Sequence, residues 1–156
     1  MVVSRASRRR LGPVVLVAAA LAVLAAPSGD AGMRDVLAGP VPAEVVEVLD
    51  GDTIAVRARI WLGQELATHV RLAGIDAPEL HGKCDRERRL AAAARDFLAQ
   101  RLVERHVMLR DVQVDKYGGR VVARVVTDAG EDVAGALIGA GFARPYGGGT
   151  RLPWCD

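Results

Sequence analysis

A chain of 156 residues with 21 basic and 19 acidic side chains has room for one domain, and a formal net charge of +2 implies neither a nucleic-acid nor a membrane partner. Even that excess is local. Residues 1–31 hold four arginines and Asp30, so residues 32–156 carry 17 basic against 18 acidic groups, a net of −1. Two cysteines without a CxxC pair, and His69, His81 and His106 without ligand spacing, argue against a zinc site.

The N-terminus reads as an export signal. Arg5, Arg8, Arg9 and Arg10 precede an unbroken apolar run from Val14 to Ala26, followed by Pro27, Ser28 and Gly29. A run this short falls below the roughly 20 residues of a spanning helix, which leaves an uncleaved anchor as the rival reading. Cleavage is expected after Ala31, with Ala26 as the alternative, and Ser7–Leu11 has the look of a twin-arginine signal. The destination is then secreted or periplasmic. In that oxidising setting Cys84 and Cys155 read as one disulfide.

Residues 32–42, with Gly39, Pro40 and Pro42, show no periodicity and read as a linker to a domain spanning 43–156. Glu44 to Leu49 predicts a strand, and Asp50-Gly51 a hairpin turn. Thr53 to Trp61 alternates, with Ile54, Val56 and Ile60 on one face and Arg57 and Arg59 on the other. Leu66 to Ala73 predicts a third strand with Val70 and Leu72 inward and His69 and Arg71 opposite. From Asp85 to Arg105 the apolar period becomes helical (Leu90, Ala94, Phe97, Leu98, Leu102), with Asp85 as cap and Glu87 adding charge to the first turn. Val107 to Val112 and Arg120 to Val126 predict two more strands, and Asp132 caps a short helix from Val133 to Ala140. The Gly- and Pro-rich tail from Pro145 must be held by something other than secondary structure. Five short strands with a long helix between the third and fourth suit an OB-type barrel, a mainly β, α+β fold.

Three stretches concentrate polar residues that a plain barrel does not need: Asp50–Thr53, Arg71–Glu79 and Asp115–Arg120. Singly, each has a bland reading as a turn, a capped turn or a loop. Together their chemistry is complementary. Asp52, Asp76 and Glu79 are carboxylates at strand ends, suited to converge on a hard cation. Arg71 and Arg120 could clamp the oxygens of a phosphate diester, and Tyr117 beside Lys116 could contact a base or phosphate.

DGDT, then RLAGIDAPE, then DKYG followed closely by Arg120, in this order and spacing, closely resembles the staphylococcal-nuclease-like (thermonuclease) family over residues 44–144. The resemblance implies a five-stranded OB barrel that hydrolyses DNA or RNA phosphodiesters with calcium. It implies metal ligation by Asp52, Asp76 and the Ala77 carbonyl, water activation by Glu79, and phosphate binding by Arg71 and Arg120; from the residues themselves, Lys116 and Tyr117 are the candidate substrate-binding pair. Two departures stand out. Ala77 replaces a threonine common in relatives, which a carbonyl ligand tolerates, and Gly119 inserts one residue before Arg120. Trp154 reads as packing beside Cys155. A monomer is expected, with nucleic acid as substrate rather than a stable protein partner. The alternatives are a non-catalytic OB-fold binding module and an accessory protein of envelope polysaccharide synthesis. The complete carboxylate and arginine set speaks against the first.

Overall fold

Alternating apolar residues drive the barrel in the computed structural model, which describes residues 36–155. Residues 1–31, where an export signal is expected, lie outside the described residues, as does Asp156. In chain order the elements are β1 (Val36–Leu37), β2 (Val41–Val48), β3 (Thr53–Trp61), β4 (Gln64–Leu72), β5 (Ile75–Asp76), α1 (Asp85–Arg101), β6 (His106–Val114), β7 (Val121–Thr127), α2 (Val133–Gly139) and β8 (Arg144–Pro145). The sheet runs β1-β6-β2-β3-β4-β7, and β6 also pairs with β7, which closes β2, β3, β4, β6 and β7 into a five-stranded barrel. The β4–β7 pairing is parallel and the other barrel pairings are antiparallel. This is the OB-type barrel expected from the strand and helix order.

The barrel interior holds Ile54, Val56, Val70, Leu72, Val107, Leu109 and Val125, each at most 1% exposed. Burying each contributes roughly 1.5–3 kcal/mol of transfer free energy. Helix α1 adds Ala91, Ala94 and Leu98, and Phe97 meets Phe142 with ring centroids 5.0 Å apart. Small alanines on this face let α1 lie close to the turn between β2 and β3. A Cβ added at Gly51 would lie 2.9 Å from that of Ala94 and 3.0 Å from that of Ala77.

Several expectations change. Residues 36–42 are not all linker: Val36 and Leu37 pair with Gln113 and Val112, and Val41 is buried as the first residue of β2. Ile60 is half exposed rather than inward, because a register shift between Arg59 and Trp61 breaks the alternation after Ala58. The long helix ends at Arg101, not Arg105, and Arg105 takes a left-handed backbone (φ 60°) leading into β6. Asp85 is the first helical residue, with Cys84 as the cap and no side-chain cap bond. Asp132 does cap α2, accepting from Gly135 N–H at 3.1 Å. The tail is held by the expected Cys84–Cys155 disulfide, Cα–Cα 6.1 Å, and also by β8, which pairs with β5.

Candidate active site

The site begins where β2 turns into β3. Asp50 accepts the N–H of Asp52 at 2.9 Å, and the backbone carbonyl of Asp52 accepts Leu72 N–H at 2.7 Å, so the turn is tied to the end of β4. Thr53 pairs with Arg71 across the β3–β4 ladder. The period of two turns Arg71 off the barrel interior, yet it is only 8% exposed. Its Nη2 donates to Asp52 Oδ2 at 2.7 Å and to the Ile75 carbonyl at 3.3 Å. Thr53 Oγ1 donates to the other Asp52 oxygen at 2.9 Å. Burial pushes the Asp52 carboxyl up to about 6, against the pull of the Arg71 charge and with the help of repulsion from Asp50.

Two residues beyond Gly74, Asp76 sits in β5 opposite Arg144 of β8, and both Asp76 and Ala77 are at most 4% exposed. Asp76 Oδ2 accepts Trp154 Nε1–H at 3.2 Å. Its Oδ1 is buried without a well-aligned hydrogen bond, although Arg151 Nε lies 3.1 Å away. Glu79 stands at the rim, half exposed, with Arg151 Nη1 2.5 Å from its Oε1. The Glu79–Lys83 loop is held from α1, because the buried Glu87 accepts Lys83 N–H at 3.0 Å and Glu79 N–H at 3.4 Å. Gly82 is required there, since a Cβ would come within 2.4 Å of the Glu87 side chain. Glu87 also lies beside Cys84 and Cys155, but those sulfurs are already bonded to each other.

Asp52, Arg71, Asp76, Ala77 and Glu79 thus lie along three linked segments at one end of the barrel. Arg120 approaches separately. Gly118 and Gly119 both take left-handed backbone (φ 71° and 70°), which absorbs the extra residue, and Arg120 Nε donates to Asp115 Oδ2 at 2.6 Å. Burial tends to raise the Asp115 carboxyl, but hydrogen bonds from Arg120 and Tyr117 N–H outweigh it and hold it below the usual range. Arg71 adds to that effect, which brings the Asp115–Arg120 loop within electrostatic reach of the buried pair. Lys116 and Tyr117 are outside the cluster: Tyr117 is 74% exposed and its ring faces the Lys116 ammonium.

Sequence reasoning missed Arg151. Trp154 packs as expected, under the Arg144 guanidinium at 3.7 Å, but its hydrogen bond to Asp76 was not foreseen. The available signal was positional. Both residues lie within four of a cysteine whose partner follows the RLAGIDAPE stretch.

A five-stranded OB barrel with a buried arginine–carboxylate pair and further carboxylates at one end defines the class. The family model described as staphylococcal nuclease homologue matches residues 69–150, just over half of the chain, and the chain belongs to that family. It is 36% identical over 115 residues to Protein ParB of Escherichia coli, covering 71% of this chain and 52% of that protein. It is 31% identical over 111 residues to an uncharacterized endonuclease of Escherichia coli, covering 71% and 65% respectively. The chain therefore spans between half and two thirds of the length of these relatives. Asp52 and Arg151 both fall outside the family-matched residues.

Proposed function

We propose that this chain is an exported, calcium-dependent nuclease that hydrolyses phosphodiester bonds of DNA or RNA. The observation that carries the reading is the buried Arg71–Asp52 pair, 2.7 Å apart, set beside the buried Asp76 and the rim carboxylate Glu79. Removing two opposite charges from water is costly, and a barrel gains little stability from keeping them there. A site that must bind an anion beside a cation has reason to.

The donor set fits calcium. Every candidate ligand is an oxygen, and Asp76 Oδ1 is buried with no aligned donor to satisfy it. Asp52, Asp76 and the Ala77 carbonyl would hold the ion. Calcium, when bound, neutralises charge that builds on the phosphate during displacement. Arg71 and Arg120 offer planar forks to the non-bridging phosphate oxygens. Glu79, exposed at the rim, would accept the proton of the attacking water as its oxygen bonds to phosphorus, while the P–O bond to the leaving group breaks and the departing oxygen takes a proton from solvent. Lys116 and Tyr117, exposed on the neighbouring loop, suit contacts to flanking nucleotides.

The arginine-rich start and the Cys84–Cys155 disulfide support an oxidising destination. The relative described as an endonuclease supports internal cleavage. The test is incubation of the purified chain with single- and double-stranded DNA and RNA, with calcium and then with chelator. Undiminished cleavage in chelator removes calcium from the reading, and tight binding without cleavage favours the binding module. Glu79→Gln should lower turnover by roughly 10²- to 10⁴-fold while leaving oligonucleotide affinity within a few-fold. An unchanged rate at saturating calcium removes Glu79 from the mechanism.

A further inference from the structure

The last twelve described residues form a strap pinned at both ends. At the near end Arg144 and Pro145 pair with Asp76 and Ile75, and Tyr146 N–H donates to the Gly74 carbonyl at 2.8 Å. At the far end Cys155 is bonded to Cys84, Trp154 donates to Asp76, and Arg144 both stacks on Trp154 and donates to the Pro153 carbonyl at 3.0 Å. Between them Gly147, Gly148 and Gly149 turn the chain, the last two with φ of 97° and 98°. Besides Trp154, the strap therefore delivers Arg151 to the carboxylates. Its Nε is 3.1 Å from Asp76 Oδ1 and its Nη1 2.5 Å from Glu79 Oε1.

We propose that Arg151 is a further substrate-binding residue of this site: it is the counter-ion of Asp76 and Glu79 in the cation-free protein and a phosphate ligand once a divalent cation is bound. The inference rests on the calcium reading above. Arg151 occupies the side of Asp76 whose oxygen has no other donor, so it must release that oxygen when a cation takes it. The strap ends are held by the β5–β8 pairing and by the disulfide, so the guanidinium stays beside the site after release. Its side chain is 39% exposed and free to swing on its aliphatic stem. A cavity of about 370 Å³ opens next to it, lined by Asp76, Glu79, His81, Lys83 and Trp154.

The other two arginines of the site are each held at one nitrogen. Arg71 Nη2 is already engaged by Asp52 and the Ile75 carbonyl, and Arg120 Nε by Asp115. Arg151 is the arginine beside the buried Asp76 oxygen that has no aligned donor, one of the groups the cation takes. A guanidinium displaced from Asp76 beside a newly bound cation has the anionic backbone of the substrate as its natural partner.

The test reads two affinities that should move in opposite directions. Calcium binding is measured by titration calorimetry without nucleic acid, for the wild type, Arg151→Gln, Arg151→Lys, and Lys83→Gln as a control for general loss of positive charge. Arg151→Gln should bind calcium about five-fold more tightly, the scale of one partly exposed ion pair, and more so than Lys83→Gln. Binding of a fluorescein-labelled phosphorothioate oligodeoxynucleotide at saturating calcium should weaken about ten-fold in Arg151→Gln, the scale of one charge-assisted hydrogen bond, with Arg151→Lys in between. A role confined to holding the strap would weaken both affinities, which overturns the proposal. So does calcium affinity equal to that of the wild type, or oligonucleotide affinity that does not change. Absence of calcium binding in every protein overturns the calcium reading itself, and is distinct from equal binding in wild type and variant.

Discussion

Replacing Cys84 and Cys155 together by serine removes a cross-link between positions 71 residues apart. In the chain-entropy treatment a loop of that length is worth about 4 kcal/mol, mainly because the cross-linked unfolded chain has fewer conformations to gain. The native barrel should survive the loss. Its apolar core ends at Ala143, so no strap residue contributes to it, and a domain of this size carries roughly 5–15 kcal/mol of stability. Urea denaturation followed by far-UV circular dichroism reads the barrel. With a slope of about 2 kcal/mol per molar urea, the midpoint should fall by about 2 M, with a slightly steeper slope because the uncross-linked chain exposes more surface. Trp154 fluorescence should report release of the strap at lower urea than the barrel transition. Midpoints that coincide with and without the bridge would refute the chain-entropy account. A double variant that fails to fold would show instead that the strap holds the barrel together.

Gly51→Ala should destabilise by about 1–3 kcal/mol through overpacking against Ala94 and Ala77, and Ala94→Gly in the same chain should recover part of the loss in thermal melts. Asp132→Ala should cost about 1 kcal/mol by removing the α2 cap, with Asp132→Asn retaining most of it. Burial opposes ionisation of Asp132, but hydrogen bonds from Gly135 N–H and Arg124 overcome it and hold the carboxyl below its usual range. Its stabilisation is therefore complete above about pH 4 and lost as pH falls through the lower folded-state value, so wild type and Asp132→Asn should converge in stability at more acidic pH.

The barrel was legible because its signal is local. A period of two over Thr53–Ala58 and Arg71–Leu72 marks a face, and a helical period from Leu90 to Leu102 marks α1. What escaped is set by partners distant in sequence. Strand β1 exists because β6 bulges beside it, where Asp111 takes a left-handed backbone (φ 52°) and its N–H reaches the Ala38 carbonyl at 3.0 Å. Glu87 looked like a first-turn helix charge, but the loop N–H groups it satisfies are visible only after folding. Asp50-Gly51 does turn β2 into β3, as its hairpin signal indicated. What the signal did not tell is that Gly51 serves close approach of α1, since its φ is not positive. The carboxylates were legible because they cluster within short motifs. Arg151 was not, because a disulfide and a two-residue strand pairing carry it there across 75 residues of chain from Asp76.

The Gly119 insertion raises a question that the loop geometry sharpens. With Gly118 and Gly119 both left-handed, the Asp115–Arg120 turn closes through Gly118 N–H to the Asp115 carbonyl at 2.9 Å and Asp115 N–H to the Arg120 carbonyl at 3.1 Å. Arg120 is thereby fixed through its Nε, which leaves the two terminal nitrogens of its fork for phosphate. The rival cations are placed elsewhere. Arg124 Nη2 is bound to Asp132 Oδ2 at 3.0 Å, at the cap of α2, and the Lys116 ammonium lies over the Tyr117 ring. Arg120→Ala should therefore cut turnover by about 10²- to 10³-fold, the effect of losing one donor to the transition state, and Arg120→Lys should restore little because it lacks the fork. Asp115→Asn should lower turnover less than Arg120→Ala, since it loosens the arginine without removing it. Arg124→Ala should lower thermal stability and leave turnover alone. Steady-state kinetics on a defined oligonucleotide, paired with melts of each variant, separates these outcomes. Near-normal turnover in Arg120→Ala, with a large loss in Arg124→Ala or Lys116→Ala, would move the second phosphate clamp to that residue.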